Sequence, residues 1–116
     1  EDKEIVDILE RYRTMCFDGA DSSGEKEIRV SIHGQDFLRA KAVYEGVISL
    51  LQLHAGGSKV EKGKLAILNA GCNFLAAFCL QNKENQSALF DHFPLFLHFA
   101  ELGVEASKLL GAIVKG

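Results

Sequence analysis

Apolar positions along the first segment fall at Ile5, Ile8, Leu9, Tyr12 and Cys16, the three-and-four spacing of one helical stripe, while Asp2, Lys3, Asp7, Glu10 and Arg11 cover the rest of its circumference. The pattern predicts an amphipathic first helix with Asp7 and Arg11 as an i, i+4 pair on its solvated side. Between residues 17 and 34 the period dissolves into Asp-Gly, Asp-Ser-Ser-Gly and Glu-Lys-Glu, which favour turns. This segment reads as an internal loop. An alternating strand at 28–32 is the other reading, but a lone strand has no partner for its ladder. A short helix is expected over 35–42 and another over 44–54, with Tyr44, Val47, Ile48 and Leu51 on one stripe and the glycines at 56–57 ending it.

The strongest helical pattern covers 60–81. Leu65, Leu68, Cys72, Leu75 and Cys79 form one stripe and Ile67, Phe74 and Phe78 a second, so apolar side chains cover well over half the circumference and other helices must surround this one. Asn69 and Asn73 interrupt that surface. Either each has a hydrogen-bond partner, or the two mark the helix's wet edge. A further helix is expected over 84–93. Pro94 then opens the next, since a first-turn proline has no N–H to lose. The stretch 95–114 carries Leu102, Ala106, Leu109, Leu110 and Ile113 at helical spacing, with a break near Gly103. The whole reads as all-α, with five to seven short helices joined by tight turns. Without four-helix heptads, the pattern favours a piece of an α-solenoid over a bundle.

With 116 residues, 47% hydrophobic and 25% charged, the chain fits one globular domain over 1–116 that is large enough for a core without disulfides or metal. Sixteen acids against 13 Lys and Arg give a net charge of -3, with the bases interleaved among the acids. That disfavours nucleic acid, whose phosphates need bases gathered on one face. No apolar run approaches the ~20 residues of a membrane span. The start at Glu1, with no initiator Met or apolar leader, reads as a piece of a longer chain. Cys16, Cys72 and Cys79 are an odd number. On one helix Cys72 and Cys79 would stand ~10 Å apart, too far to bridge. They read as buried thiols in a reducing compartment.

Candidate chemistry is sparse. His33, His54, His92 and His98 contain no i, i+4 pair for a metal, and Asp91 and His92, as helical neighbours, point apart. The neighbours of Cys72 and Cys79 are Phe74, Leu75 and Phe78, with no positive charge to favour a thiolate. Gly56-Gly57-Ser58-Lys59 follows a helix, whereas a phosphate loop needs a preceding strand. These features point to neither an enzyme nor a cofactor. Phe90, Phe93, Phe96 and Phe99 read as core, with a partner groove as the alternative.

Residues 72–97, CNFLAAFCLQNKENQSALFDHFPLFL, are similar to the RIH domain shared by inositol trisphosphate receptors and ryanodine receptors. The resemblance rests on Phe74-Leu75, Phe78-Cys79, Asn85-Gln86, Leu89 and His92, a helix leading through a polar turn to Asn-Gln, then a Leu and a His before an apolar helix. Phe37-Leu38-Arg39 and the apolar helix ending near Leu50-Leu51-Gln52 match the preceding helix pair, and residues 6–16 the first helix, so the likeness covers roughly residues 5–97. Mixed charge at 25–29 replaces the family's basic stretch, and Pro94 stands where a helix former is expected.

The resemblance implies an armadillo-like cytosolic module of a ligand-gated calcium-release channel. The parent would be a membrane-embedded homotetramer of the endoplasmic reticulum or another calcium store. The module's partners would be neighbouring domains and subunits of the same channel, with no direct membrane contact of its own. Its role would be structural and allosteric coupling between the ligand-binding region and the pore, with Asn85 and Gln86 pairing with helix-end groups to fix the turn. The competing reading is a generic armadillo or HEAT-type adaptor that binds a peptide along a groove.

Overall fold

Helix α1 runs Asp2–Met15, and its apolar stripe settles onto a later helix through Leu9 and Tyr12. A computed structural model describes residues 2–18, 29–55 and 62–114 of the chain. After α1, β1 (Phe17–Asp18) pairs antiparallel with β2 (Arg29–Val30), Phe17 opposite Val30, and the Ser31 N–H donates to the Cys16 carbonyl at 2.7 Å. The lone strand expected to lack a partner thus has one at the other end of its own loop. Residues 19–28 of that loop, including Ile28 of the strand reading, lie outside the described residues.

Helix α2 (Ile32–Ala40) starts earlier than its periodicity suggests, because Ser31 caps it and accepts from the Gly34 N–H at 3.1 Å. Gly34 belongs there for a steric reason: a β-carbon at this position would collide with the Met15 carbonyl at the end of α1. Ala42, in the left-handed conformation at φ 55°, turns the chain into α3 (Val43–His54). The glycines at 56–57, with Ser58, Lys59 and Val60, lie outside the described residues.

A 3-10 turn over Lys62–Lys64 leads into α4 (Leu65–Cys79), followed by α5 (Lys83–Phe90), α6 (Phe93–Glu101) and α7 (Ser107–Val114). The fold is all-α, with seven α-helices among the described residues. Pro94 sits in the first turn of α6, and Gly103, at φ 92°, ends that helix, with the Val104 N–H folded back to the Phe99 carbonyl at 3.0 Å.

Helix α4 is the hub, contacted by α1, α3, α5 and α7. Its two apolar stripes require this, since Ile67, Leu68, Phe74, Leu75, Phe78 and Cys79 are all fully buried. Aromatic rings carry the packing across the hub: Tyr12 of α1 meets Phe74 at 5.6 Å, Phe74 meets Phe78 at 5.8 Å, and Phe78 stacks on Tyr44 of α3 at 5.3 Å. Gly71 lets α3 approach closely, for a β-carbon there would stand 2.5 Å from Leu51 Cδ2. The two asparagines divide: Asn73 is exposed, and half-buried Asn69 accepts from the Glu105 N–H at 2.9 Å. Together they form the wet edge of the hub. Among the described residues no helix is long and apolar enough to cross a membrane.

Candidate functional site

A helix leaves its last carbonyls without intrahelical partners, and α4 ends inside the protein, where those groups cannot rely on water. No glycine follows it. The chain instead turns at Gln81, itself left-handed at φ 55°, and side chains from distant segments satisfy the carbonyls. Gln35 of α2 donates through Nε2 to the Ala77 carbonyl at 2.9 Å and the Leu80 carbonyl at 2.8 Å. Asn85 of α5 donates through Nδ2 to the Phe78 carbonyl at 2.7 Å and the Gln35 carbonyl at 3.4 Å. The Cys79 carbonyl accepts from the Asn82 N–H at 3.2 Å.

Asn82 joins both sides of this cluster. Its Oδ1 caps α5 by accepting the Asn85 N–H at 3.1 Å, while its Nδ2 donates to Gln35 Oε1 at 3.1 Å and to Asp36 Oδ1 at 3.2 Å. Gln35, Asn82 and Asn85 are all buried, and no buried side-chain nitrogen or oxygen among the described residues lacks a partner. Toward solvent, Arg39 closes the cluster. Its Nη1 donates to Asn85 Oδ1 at 2.6 Å and to Asp36 Oδ1 at 2.9 Å, and its Nη2 lies 3.4 Å from Glu84 Oε2. The hydrogen bond from Asn82 and the Arg39 guanidinium hold the Asp36 carboxyl below the ordinary aspartate range.

The residues that carry the family resemblance lie on α4, α5 and at the start of α6, and this cluster takes in Asn85 and the Phe78 carbonyl. Phe74, Leu75, Phe78 and Cys79 are buried on α4, and Asn85, Gln86 and Leu89 are buried on α5. His92 is the N-cap residue of α6, half-buried, with its ring 6.4 Å from Phe96. Asn85 lies at the centre of the polar contacts. Gln86 takes part through its backbone, donating to the Asn82 carbonyl at 2.9 Å; its side chain makes no hydrogen bond among the described residues. The aromatic run divides: Phe96 and Phe99 are completely buried and half-buried Phe93 packs against the core, whereas Phe90 is 60% exposed, so the core reading fails only at Phe90.

Gln35 and Asn82 are members that motif reasoning did not single out, whereas Arg39 belongs to the Phe37-Leu38-Arg39 match. Asn82 had a legible signal, an Asn immediately before a helical segment, which is a strong cap preference. Gln35 had none, since its partners stand 42 to 50 residues away.

Chemically the cluster binds segments together through three amides, the Arg39 guanidinium and the Asp36 carboxylate. Burial pushes the thiols of Cys16, Cys72 and Cys79 up to about 12, so they remain protonated at neutral pH. Among the described residues no group of three His, Cys, Asp or Glu side chains is placed to hold a metal ion. Two grooves open on the surface. One, about 630 Å³, lies between α1, α4 and α7 and is lined by Arg13, Asn73 and Lys108 among others; the second, about 420 Å³, is an apolar trough between α1 and α3. No family model, curated protein or solved structure matches this chain.

Proposed function

We propose that this chain is a cytosolic, armadillo-like helical module of a ligand-gated intracellular calcium-release channel of the inositol trisphosphate receptor type, coupling the ligand-binding region to the pore. The observation that supports the reading is the position of Asn85. The two halves of the motif, the helix ending in Phe78-Cys79 and the Asn-Gln after the polar turn, meet through its 2.7 Å bond to the Phe78 carbonyl. A turn held in this way joins two helices rigidly, and rigid packed bodies transmit rotation because close-packed cores shift between discrete arrangements instead of deforming. In this reading the parent protein is a homotetramer in the endoplasmic reticulum or another calcium store, and the module touches neighbouring domains and subunits.

Agonist-evoked calcium release from microsomes bearing the full-length parent tests the proposal, with inositol trisphosphate and ryanodine as separate agonists. Release evoked by inositol trisphosphate, and its reduction by Asn85→Leu while agonist binding is retained, is the expected result. A parent chain with no apolar spans, or one that releases calcium to neither agonist, would sink it.

The adaptor reading has one observation in its favour, the open groove of about 630 Å³ between α1, α4 and α7. It predicts a parent chain without membrane spans.

A further inference from the structure

Gln35 makes a set of contacts that no local element requires. Its Nε2 reaches both the Ala77 carbonyl in the last turn of α4 and the Leu80 carbonyl, its Oε1 accepts from Asn82, and its own backbone carbonyl accepts from Asn85. The Leu80 carbonyl belongs to the peptide that precedes Gln81, the left-handed residue of the turn. A non-glycine residue keeps that conformation only when its surroundings hold it there. Gln35 therefore grips the strained peptide of the α4–α5 turn from a helix more than 40 residues away, with its side chain completely buried.

We infer that Gln35 is a latch that makes α2 and the α4–α5 turn open and move as one unit. Three features define the unit. The Gln35, Asn82 and Asn85 amides are all paired with one another or with the carbonyls at the end of α4, so a partial opening would leave buried donors or carbonyls unpaired and the bonds break together. Ala42, left-handed like Gln81, is exposed at the junction of α2 with α3, where backbone hydrogen bonds hold the bend, the Ala42 N–H donating to the Arg39 carbonyl at 2.9 Å, and no side chain of the amide cluster reaches it. Helix α1, by contrast, grips α4 through Leu9, Tyr12 and Phe74, contacts that do not pass through Gln35. A displacement applied to α2 would thus reach α5 directly across the amide cluster, bypassing the chain between them. The latch supplies a path for the coupling proposed above and rests on that reading only for its use in the parent protein.

Hydrogen exchange on this chain tests the latch without reference to any channel. Gln35→Leu should speed exchange of the Asn85 and Gln86 amides, and of the α2 amides, at least about tenfold relative to those of α1. Equal acceleration in α1, or no acceleration in α5, would overturn the inference. If Gln35→Leu does not fold, native-state exchange of the unaltered chain in graded urea gives the same decision. The α2 and α5 amides should share one opening curve, reached at lower urea than that of α1. Separate curves for α2 and α5, or one curve common to all three helices, would refute it.

Discussion

Arg39 donates to Asn85 at 2.6 Å across 46 residues of sequence, the shortest link between α2 and α5 and the outer wall of the buried amide cluster. Asn85 is consequently saturated, donating to two carbonyls while accepting from a guanidinium. Asn85→Leu removes these bonds and leaves the Phe78 carbonyl buried without its side-chain donor. The expected loss is ~3 kcal/mol, a fall in Tm of roughly 10 °C, measurable by thermal circular dichroism.

The contact between Gly71 and Leu51 predicts a non-additive pair. Gly71→Ala places a methyl group 2.5 Å from Leu51 Cδ2 in a fully buried crossing and should cost ~1–3 kcal/mol. Leu51→Ala should cost ~2–5 kcal/mol as a single substitution. In the double variant the added methyl group occupies part of the vacated space, so urea denaturation should show a loss smaller than the sum of the two.

Exchanging glycine and alanine at positions 42 and 46 should stabilise the protein twice. Ala42 is exposed and left-handed, so Ala42→Gly relieves its strain and should gain ~0.5–1 kcal/mol. Gly46 lies within α3, where an added β-carbon meets nothing within 4 Å. There Gly46→Ala should gain a similar ~0.5–1 kcal/mol through helix propensity. Either substitution lowering the urea midpoint would contradict these assignments.

Burial predicts that the three cysteines are silent toward thiol reagents in the native state. With their pKa pushed up to about 12 and almost no surface exposed, Cys16, Cys72 and Cys79 should react with dithionitrobenzoate only as fast as the protein opens. Three thiols should titrate at once in guanidinium chloride. Rapid native modification of any of them would mean that its part of the core is open.

Asp36 predicts an acid limb in the stability curve. Its carboxyl is depressed by the hydrogen bond from Asn82 and by Arg39, so the folded pKa lies below the unfolded one. The sign follows: this contribution is complete above the ordinary aspartate pKa and is lost as pH falls through the folded value. Asp36→Asn should flatten the urea midpoint's dependence on pH below about 4 relative to the unaltered chain. An identical dependence in both proteins would remove Asp36 as its source.

Parts of the candidate site were legible along the chain and parts were not. Asn85 stood out through the resemblance, and Asn82 could be recognised as a cap preference immediately before a helix. Apolar period does not register the N-terminal limit of α2, because a polar group, the Ser31 hydroxyl, sets it. Phe90 and Phe96 share one aromatic pattern, yet one is largely exposed and the other completely buried. Spacing describes a face, and only a neighbour decides whether that face is covered.

Residue order along the chain is enough to make it all-α, to require that the segment forming α4 be surrounded, and to place breaks at Pro94 and Gly103. All three follow from local physics: the helical repeat, proline's missing N–H and glycine's access to positive φ. Tertiary structure alone decided that Gln35 completes the end of α4, that Gly34 must lack a side chain beneath the Met15 carbonyl, and that the hub's wet edge faces Glu105. Those outcomes depend on groups far apart along the chain that meet only after the helices pack, and a buried polar atom chooses its partner by position in space.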